Sequence, residues 1–276
     1  MNRRHFTALL MTALMEACQL HRQAPSDPRF IVALIDQSET MKDFQDQQMD
    51  DLMKIMSSLN GGDTLQVYPV TENPLSTQEP ISMKLDPYNP NRFNPVTYRG
   101  YTERDLTNQA QAALAQVKAT IFDQELTADT AIIDSLELAA RAFRSAAGRD
   151  AHHRQLVLLS DGWEDQRGRI RFPREKLTAK RIAHLLDQLK AEKRLADLTG
   201  VEVWIAGARI HRNSPREFED GVEAFWLAAF ERMGAKACAE RFAPSLREFP
   251  ANPKLVQLLA DNGQQLTTVS STEGQK

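Results

Sequence analysis

Five oxygen-bearing side chains of this sequence have the types and surroundings expected of ligands for a hard cation. Two carboxylates directly follow apolar runs, two hydroxyls come two and four positions after the first carboxylate, and a third hydroxyl opens a predicted helix. They are Asp36, Ser38, Thr40, Thr130 and Asp161. Carboxylate and hydroxyl oxygens suit Mg²⁺, Mn²⁺ or Ca²⁺ and disfavour Zn²⁺. Because the set carries two formal negative charges, a divalent ion bound there keeps coordination capacity for a water or for a carboxylate from outside.

The two carboxylates are expected at one edge of a sheet, because each follows a strand-like run. In an open parallel sheet, ligands bind beyond the carboxyl ends of the strands. Ser38 and Thr40 stand in a loop that turns into a helix, where their side chains can converge with Asp36 on one point. Thr130 has an alternative role as an ordinary helix cap, and Thr127 is a competing choice for the third hydroxyl.

The order of the elements predicts the fold. Strand-like apolar runs alternate with stretches of helical periodicity. Predicted strands cover 31–35, 64–70, 81–85, 155–160, 201–206 and 241–243, and predicted helices cover 42–59, 106–125, 131–147, 175–197, 217–233 and 253–259. This order predicts an α/β fold of the Rossmann-like kind, a doubly wound, mostly parallel sheet with helices on both faces. The proline- and tyrosine-bearing segment 86–105 shows no period and is expected to be a long loop.

Three motifs in this order resemble the metal-ion-dependent adhesion site of von Willebrand factor A (VWA) domains. They are Asp-x-Ser-x-Thr at 36–40, Thr-Ala-Ile-Ile-Asp at 130–134 and Leu-Leu-Ser-Asp-Gly at 158–162. The resemblance extends over about residues 30–245 and departs from the family at Thr40, where serine is usual. It implies a Mg²⁺ (or Mn²⁺ or Ca²⁺) bound to the five side chains, some through water. It also implies a protein partner whose Asp or Glu carboxylate completes the ion's coordination.

The residues after Asp161 are candidate partner contacts. Trp163, Glu164 and Asp165 follow it directly and are expected to line the rim of the site, with Trp163 either a partner anchor or folded back onto the domain. The basic stretch 167–174 is either a steering surface for an acidic partner or a solvated loop. The segment 86–105 is either another wall of the recognition face or a surface excursion.

The N-terminal residues predict export. Arg-Arg-His-Phe at 3–6 resembles a twin-arginine signal and begins an apolar stretch too short to span a membrane. Leu-Met-Glu-Ala-Cys at 14–18 resembles a lipoprotein cleavage box, in which Cys18 becomes lipidated, and plain cleavage near Ala17 is the alternative. The other cysteine, Cys238, is expected to be buried. The expected division is a signal at 1–22, a tether at 23–29, a VWA-like domain at 30–245 and a partly flexible extension at 246–276.

Charge and motifs limit the function classes. The net charge of −3 argues against a nucleic-acid-binding protein. Asp36-Gln37-Ser38 resembles the first motif of haloacid-dehalogenase-type phosphatases, but those need a second aspartate where Ser38 stands. The expected function is therefore non-enzymatic, divalent-metal-dependent protein binding, as an adhesion or scaffold domain in the periplasm or on a membrane of the bacterial cell envelope. A metal-dependent hydrolase and an interaction module that does not use its metal site are the alternatives.

Overall fold

A mixed six-stranded sheet forms the centre of the computed structural model, which describes residues 27–75, 79–166, 170, 172, 177–208, 215–247 and 249–270. Its strands are β1 Arg29–Asp36, β2 Thr64–Val70, β3 Ile81–Lys84, β4 His153–Leu159, β5 Glu202–Ala206 and β6 Phe242–Ala243. Their order across the sheet is β3-β2-β1-β4-β5-β6, and only β3 is antiparallel to its neighbour. The predicted strands are thus confirmed, with ends that differ by one or two residues.

Helices cover both faces of this sheet. They are α1 Gln45–Ser57, α2 Pro95–Val117, α3 Ile132–Phe143, α4 Ala146–Asp150, α5 Ala179–Ala191, α6 Arg216–Arg232 and α7 Pro253–Ser270. Successive side chains of a strand point to opposite faces, so β1 contributes to two cores. Phe30, Val32 and Leu34 share one core with α3, α5 and α6. The residues between them, beginning with Ile31, share the other core with α1, α2 and α7. The doubly wound α/β prediction is confirmed.

The connections from β1 create a crevice at one edge of the sheet. The chain passes from β1 to β2 on one side, whereas β4 pairs with β1 on the other side. Such a reversal leaves a gap between the loops that follow the two strands, and ligands of doubly wound sheets bind there. Asp36 is the last residue of β1, and Asp161 comes two residues after the end of β4. Both carboxylates therefore belong to this crevice.

The prediction of a loop over 86–105 is wrong from residue 95 onward, because α2 begins there. Asn94 caps the helix by accepting a hydrogen bond from the Thr97 N–H at 2.9 Å. Pro95 occupies the first turn, where the missing N–H of proline has no helical partner to lose. The proline therefore starts a helix instead of interrupting one. A six-residue 3₁₀ helix, Glu39–Phe44, likewise replaces the predicted start of α1.

Several other expectations are corrected. The predicted helix 131–147 is two helices, and Gly148 lies within the second of them, α4, instead of ending the first. Within the C-terminal extension, Leu246 and Leu259 are buried in the core beside α1 and α2. Cys238 is exposed, because the chain around it runs along the edge of the sheet beside β5 instead of under a helix. No helix among the described residues is long and apolar enough to cross a membrane.

Candidate metal centre

The turn after β1 brings its three predicted ligands together. One carboxylate oxygen of Asp36 accepts a hydrogen bond from the backbone N–H of Ser38 at 2.9 Å. The hydroxyl oxygens of Ser38 and Thr40 lie 3.0 Å apart. Asp36 and Ser38 are buried, whereas Thr40 is exposed. The turn thus orients a carboxylate and two hydroxyls from the floor of the crevice to its mouth.

The turn after β4 places a second carboxylate opposite the first. The hydroxyl of Ser160 donates to the other oxygen of Asp36 at 2.6 Å and accepts from the Gly162 N–H at 3.0 Å. Asp161 accepts a hydrogen bond from the Trp163 N–H at 2.8 Å. Gly162 has a φ of +77°, which glycine adopts without the steric penalty of a Cβ atom. Ser160 therefore joins the two turns directly.

The electrostatics of Asp36 reflect its burial and the charge of the second carboxylate. Burial and, to a smaller extent, repulsion from Asp161 raise the pKa of Asp36 to about 7. Hydrogen bonds from Ser160 and Ser38 act in the opposite direction but are weaker. The described groups that set this pKa include no cation. A divalent ion between the carboxylates would reverse the repulsion and favour the charged form of Asp36.

The segment 127–130 is held between both turns by backbone hydrogen bonds. The Thr127 N–H donates to the Gln37 carbonyl at 2.9 Å, and the Thr127 carbonyl accepts from the Glu39 N–H at 3.1 Å. Three residues later, Thr130 and Asp165 exchange backbone hydrogen bonds of 2.9 and 3.2 Å. Thr130 is buried and precedes the N-cap position of α3, so the structure does not support the alternative that it is an ordinary cap.

Sequence reasoning missed a glutamine that joins the two strand ends. The side-chain amide of Gln48, on α1, donates to the carbonyl oxygens of Asp36 at 3.0 Å and of Leu159 at 2.9 Å. Gln48 is 2% exposed. A buried polar residue on the apolar face of a helix normally has a specific partner, and this was the signal in the sequence. The amide fixes the spacing between β1 and β4 at the point where the carboxylates begin.

A second group that the sequence did not reveal fastens the loop after Asp161. The guanidinium of Arg194 donates to Asp134 at 2.8 Å and to the side chain of Gln166 at 2.7 Å. The amide of Gln166 in turn donates to the second carboxylate oxygen of Asp134 at 2.9 Å. Asp134 lies in the first turn of α3, four residues after Thr130. The cluster therefore ties the loop that carries Asp161 to the helix that follows Thr130.

The three residues predicted on the rim have different environments. Trp163 is half-buried and stacks on Phe218 with ring centroids 4.4 Å apart, as in the folded-back alternative. Glu164 is fully buried, which corrects its expected place on the rim. Its carboxyl accepts a hydrogen bond from the Ile133 N–H at 3.1 Å, and burial raises its pKa well above the usual range. Asp165 is partly buried beside Thr130.

Two further segments, 167–174 and 86–105, were candidate parts of the recognition face. Most of the basic stretch 167–174 is outside the described residues, and its described members, Ile170 and Phe172, are buried. The segment 86–105 is not a wall of the site as a whole, because its aromatic residues lie at the opposite edge of the sheet. Tyr98 there contacts Gly61, which precedes the start of β2.

The donor chemistry of the crevice is carboxylate and hydroxyl. Among the described residues, no group of three or more His, Cys, Asp or Glu side chains could hold a metal ion. The candidate ligands combine two carboxylates, Asp36 and Asp161, with the hydroxyl oxygens of Ser38, Thr40 and Thr130. This set fits a hard divalent ion, because oxygen ligands of mixed charge are what Mg²⁺ and Ca²⁺ accept.

Comparisons with known proteins give matches in structure only. No family model matches the sequence, and no curated protein matches it. Among solved structures, a von Willebrand factor type A protein from Catenulispora acidiphila is 14% identical over 75% of this chain and 42% of that chain, with a TM-score of 0.37. The pilus adhesin SpaC from Lactobacillus rhamnosus GG is 14% identical over 88% of this chain and 30% of that chain, with a TM-score of 0.43. The chain thus spans less than half the length of either structure.

Proposed function

We propose that this protein is an envelope-located, VWA-like binding module that captures a protein partner through a divalent cation. The metal would be held by the five predicted oxygens and would bridge to an Asp or Glu carboxylate of the partner. The proposed ligands are Asp36, Ser38, Thr40, Thr130 and Asp161. The ion supplies an electrophilic centre for that carboxylate, and the side chains fix the position of the ion.

One observation carries this proposal: two buried carboxylates from adjacent strand ends repel each other. Asp36 is 2% exposed and Asp161 is 7% exposed, and the charge of Asp161 raises the pKa of Asp36. Burying like charges is costly unless a counter-ion or a proton neutralises them. Gln48 and Ser160 nevertheless hold the two strand ends together. A cation-binding role explains why the arrangement is built in this way.

Charge counting supports a bridging role for the ion. Two carboxylates neutralise a divalent ion without giving it excess negative charge, so the ion still attracts an external carboxylate. Ser38 stands where a phosphatase of the haloacid-dehalogenase type needs a second aspartate as general acid. We therefore propose binding and not hydrolysis.

The location in the cell envelope rests on the N-terminal sequence. Residues 1–26, which include the twin-arginine-like pair and Cys18, are outside the described residues. We propose export on the basis of these motifs and anchoring through a lipid on Cys18. Mass spectrometry of the membrane-extracted protein tests the anchor, because lipidation adds a diacylglyceryl group to that cysteine, whereas plain cleavage near Ala17 does not.

Capture from envelope extract in the presence of Mg²⁺ or EDTA tests the binding role. Immobilised wild-type protein should retain a partner in Mg²⁺ and release it in EDTA, and Asp36→Ala should retain none. Asp43→Ala is the matched control, because this carboxylate is exposed on the 3₁₀ helix beside the site and should behave as wild type. Equal retention in Mg²⁺ and in EDTA would overturn the proposal.

A further inference from the structure

A group of aromatic side chains lies at the edge of the sheet opposite the candidate metal centre. Phe93 stacks on Tyr101 with centroids 5.1 Å apart, and Tyr98 contacts Tyr88 at 5.0 Å and Phe93 at 6.0 Å. All four rings are partly exposed. We call this group, together with Val96, the aromatic end.

The position of the aromatic end follows from a close approach to glycine. The Tyr98 hydroxyl would lie 1.6 Å from a Cβ atom at Gly61, so a side chain at this position would displace the tyrosine. The same hydroxyl donates to the Asp86 carbonyl at 2.7 Å. Gly61 immediately precedes β2, whose first residue, Thr64, pairs with Phe30 near the start of β1. The aromatic end is therefore where the parallel strands begin, and Asp36 is where β1 ends.

The N-terminal chain enters the domain beside the aromatic end. A Cβ atom at Gly62 would lie 3.3 Å from Pro28 and 3.7 Å from Pro87, so these two prolines flank the same glycine. The Pro28 carbonyl also accepts a hydrogen bond from the His152 N–H at 3.2 Å. Pro28, near the first described residue, therefore lies at the aromatic end and not at the metal centre.

The aromatic end exposes apolar surface next to positive charge. Val96 is 83% exposed, more than any other large hydrophobic residue in the described part of the chain. The guanidinium of Arg92 lies 5.0 Å from the centre of the Phe93 ring. Arg99 is exposed one helical turn after Val96, which places both on one side of α2. The segment 86–101 contains these two arginines and a single acidic residue, Asp86, whereas Glu103 and Asp105 follow in the next turn of α2, beside Arg104.

We propose that the aromatic end is a membrane-contacting surface that binds the headgroup region of anionic phospholipids. Tyrosine and phenylalanine rings are favourable at the boundary between water and hydrocarbon. Each arginine close to an anionic bilayer strengthens binding about fivefold. The hydroxyls of Tyr98 and Tyr101 are already bonded to Asp86, which holds the two rings in place at this surface.

The length of the N-terminal chain is consistent with this orientation. Pro28 comes ten positions after Cys18, and a fully extended chain of that length spans at most about 35 Å. A domain of this size is about 45 Å across. If Cys18 is lipidated, as proposed above, the chain is too short for the domain to turn its aromatic end freely away from the bilayer. The metal centre, about 26 Å away along β1, would then face away from the lipid.

Vesicle co-sedimentation tests this surface without requiring the lipid anchor. A form without the apolar signal segment and Cys18, residues 19–276, keeps the domain, because every core side chain in the described part of the chain falls within 30–259. This protein should bind phosphatidylcholine vesicles that contain about one third phosphatidylglycerol more tightly than vesicles of phosphatidylcholine alone. Binding should persist in EDTA, because the aromatic end does not involve the metal centre.

Two variants at exposed positions give the comparison. Phe93→Ser with Val96→Ser should lower the partition coefficient roughly tenfold, which corresponds to the loss of part of the burial of two apolar side chains. Leu258→Ser is the matched control, because Leu258 is 43% exposed on α7 and should leave binding unchanged. Circular dichroism checks that all the variants fold.

Three outcomes would overturn the inference: no vesicle binding by the unaltered chain, equal binding by the double variant, or loss of binding in EDTA. The last would assign lipid binding to the metal centre. Retention on isolated peptidoglycan without vesicle binding would also overturn it. A failure of the proposed metal-dependent function leaves the expected vesicle result unchanged, so the two proposals fail separately.

Discussion

The two ends of β1 hold buried carboxylates in opposite ways. At the start of the strand, Asp63 is fully buried and accepts hydrogen bonds from the Arg29 backbone N–H at 2.8 Å and from its guanidinium at 2.6 and 2.9 Å. The backbone N–H of Asn60 donates to Asp63 as well, at 2.8 Å. At the end of the strand, Asp36 is also buried, but the charged group that acts on it is a second carboxylate, Asp161.

The contrast shows that burial alone does not decide what a carboxylate is for. The ion pair at the start of β1 is complete within the protein, so it contributes to the fold and needs nothing from outside. At the end of β1, burial and the charge of Asp161 disfavour the charged form of Asp36, so a proton or a cation at Asp36 is favoured. We interpret the first end as structural and the second as a site for an ion.

The largest predicted effect on stability is at the start of β1, where Asp63 pairs with Arg29. Asp63→Asn should lower the free energy of unfolding by about 3 kcal/mol, because it leaves the partly buried guanidinium of Arg29 without a counter-charge. Urea denaturation measures the change. Asp123→Asn, at an exposed position, is the control and should remain within about 0.5 kcal/mol of wild type. A similarly small effect of Asp63→Asn would remove the distinction between the two ends.

The next largest effect is expected at the end of β1, where Asp36 lies. It has two parts of opposite sign, one on metal affinity and one on stability. Asp36→Asn should weaken Mg²⁺ binding more than about 100-fold, since even residues that only orient a ligand change metal affinity by 10- to 100-fold. The same substitution should raise the melting temperature of the metal-free protein at pH 8, because it removes a buried charge that Asp161 repels. Titration calorimetry and thermal unfolding in EDTA measure the two parts. Destabilisation of the metal-free protein would contradict this account.

The pH dependence sharpens the comparison further. Because the pKa of Asp36 is about 7, Mg²⁺ affinity should fall about tenfold for each pH unit below that value and level off above it. The metal-free protein should behave in the opposite sense. The folded pKa of Asp36 lies above its ordinary value of 3.8, so the folded state binds more protons between these values and its stability falls as pH rises from about 4 to 7. Titrations across this range check both slopes, and a flat affinity profile would contradict the prediction.

The smallest expected effect concerns the hydrogen bond that joins the two turns. Ser160→Ala removes the hydroxyl that donates to Asp36 at 2.6 Å. We expect about a tenfold loss of Mg²⁺ affinity and a shift of the pH midpoint to higher values, because this hydrogen bond lowers the pKa of Asp36. Calorimetry at several pH values measures both. A loss of affinity without a shift of the midpoint would indicate that Ser160 acts only on the shape of the turn.

The elements around the site could be predicted because their signals are local. The strand 64–70 is found with the predicted ends, and the apolar runs before Asp36 and Asp161 are strands as expected. The start of α2 was missed because Pro95 can equally end or begin a helix, and the capping role of Asn94 decides between the two.

The finer features of the site could not be predicted because they depend on distant parts of the chain. The burial of Glu164 follows from its hydrogen bond with the Ile133 N–H at the beginning of α3, which no pattern around residue 164 reveals. The position of Gln48 is similar, since its two acceptors are 12 and 111 residues away in sequence. Such contacts appear only once the helices are packed on the sheet.

The bridge made by Gln48 has a mechanical consequence. One amide donates hydrogen bonds to the ends of both β1 and β4. Tension applied to an ion bound there would therefore be shared by the two strands. These strands run parallel and pair over seven consecutive positions, from Arg29 with His153 to Ile35 with Leu159. A pull along their common axis loads those hydrogen bonds together in shear and does not open them one after another. The end of the sheet that offers the candidate ligands is therefore also suited to bear load.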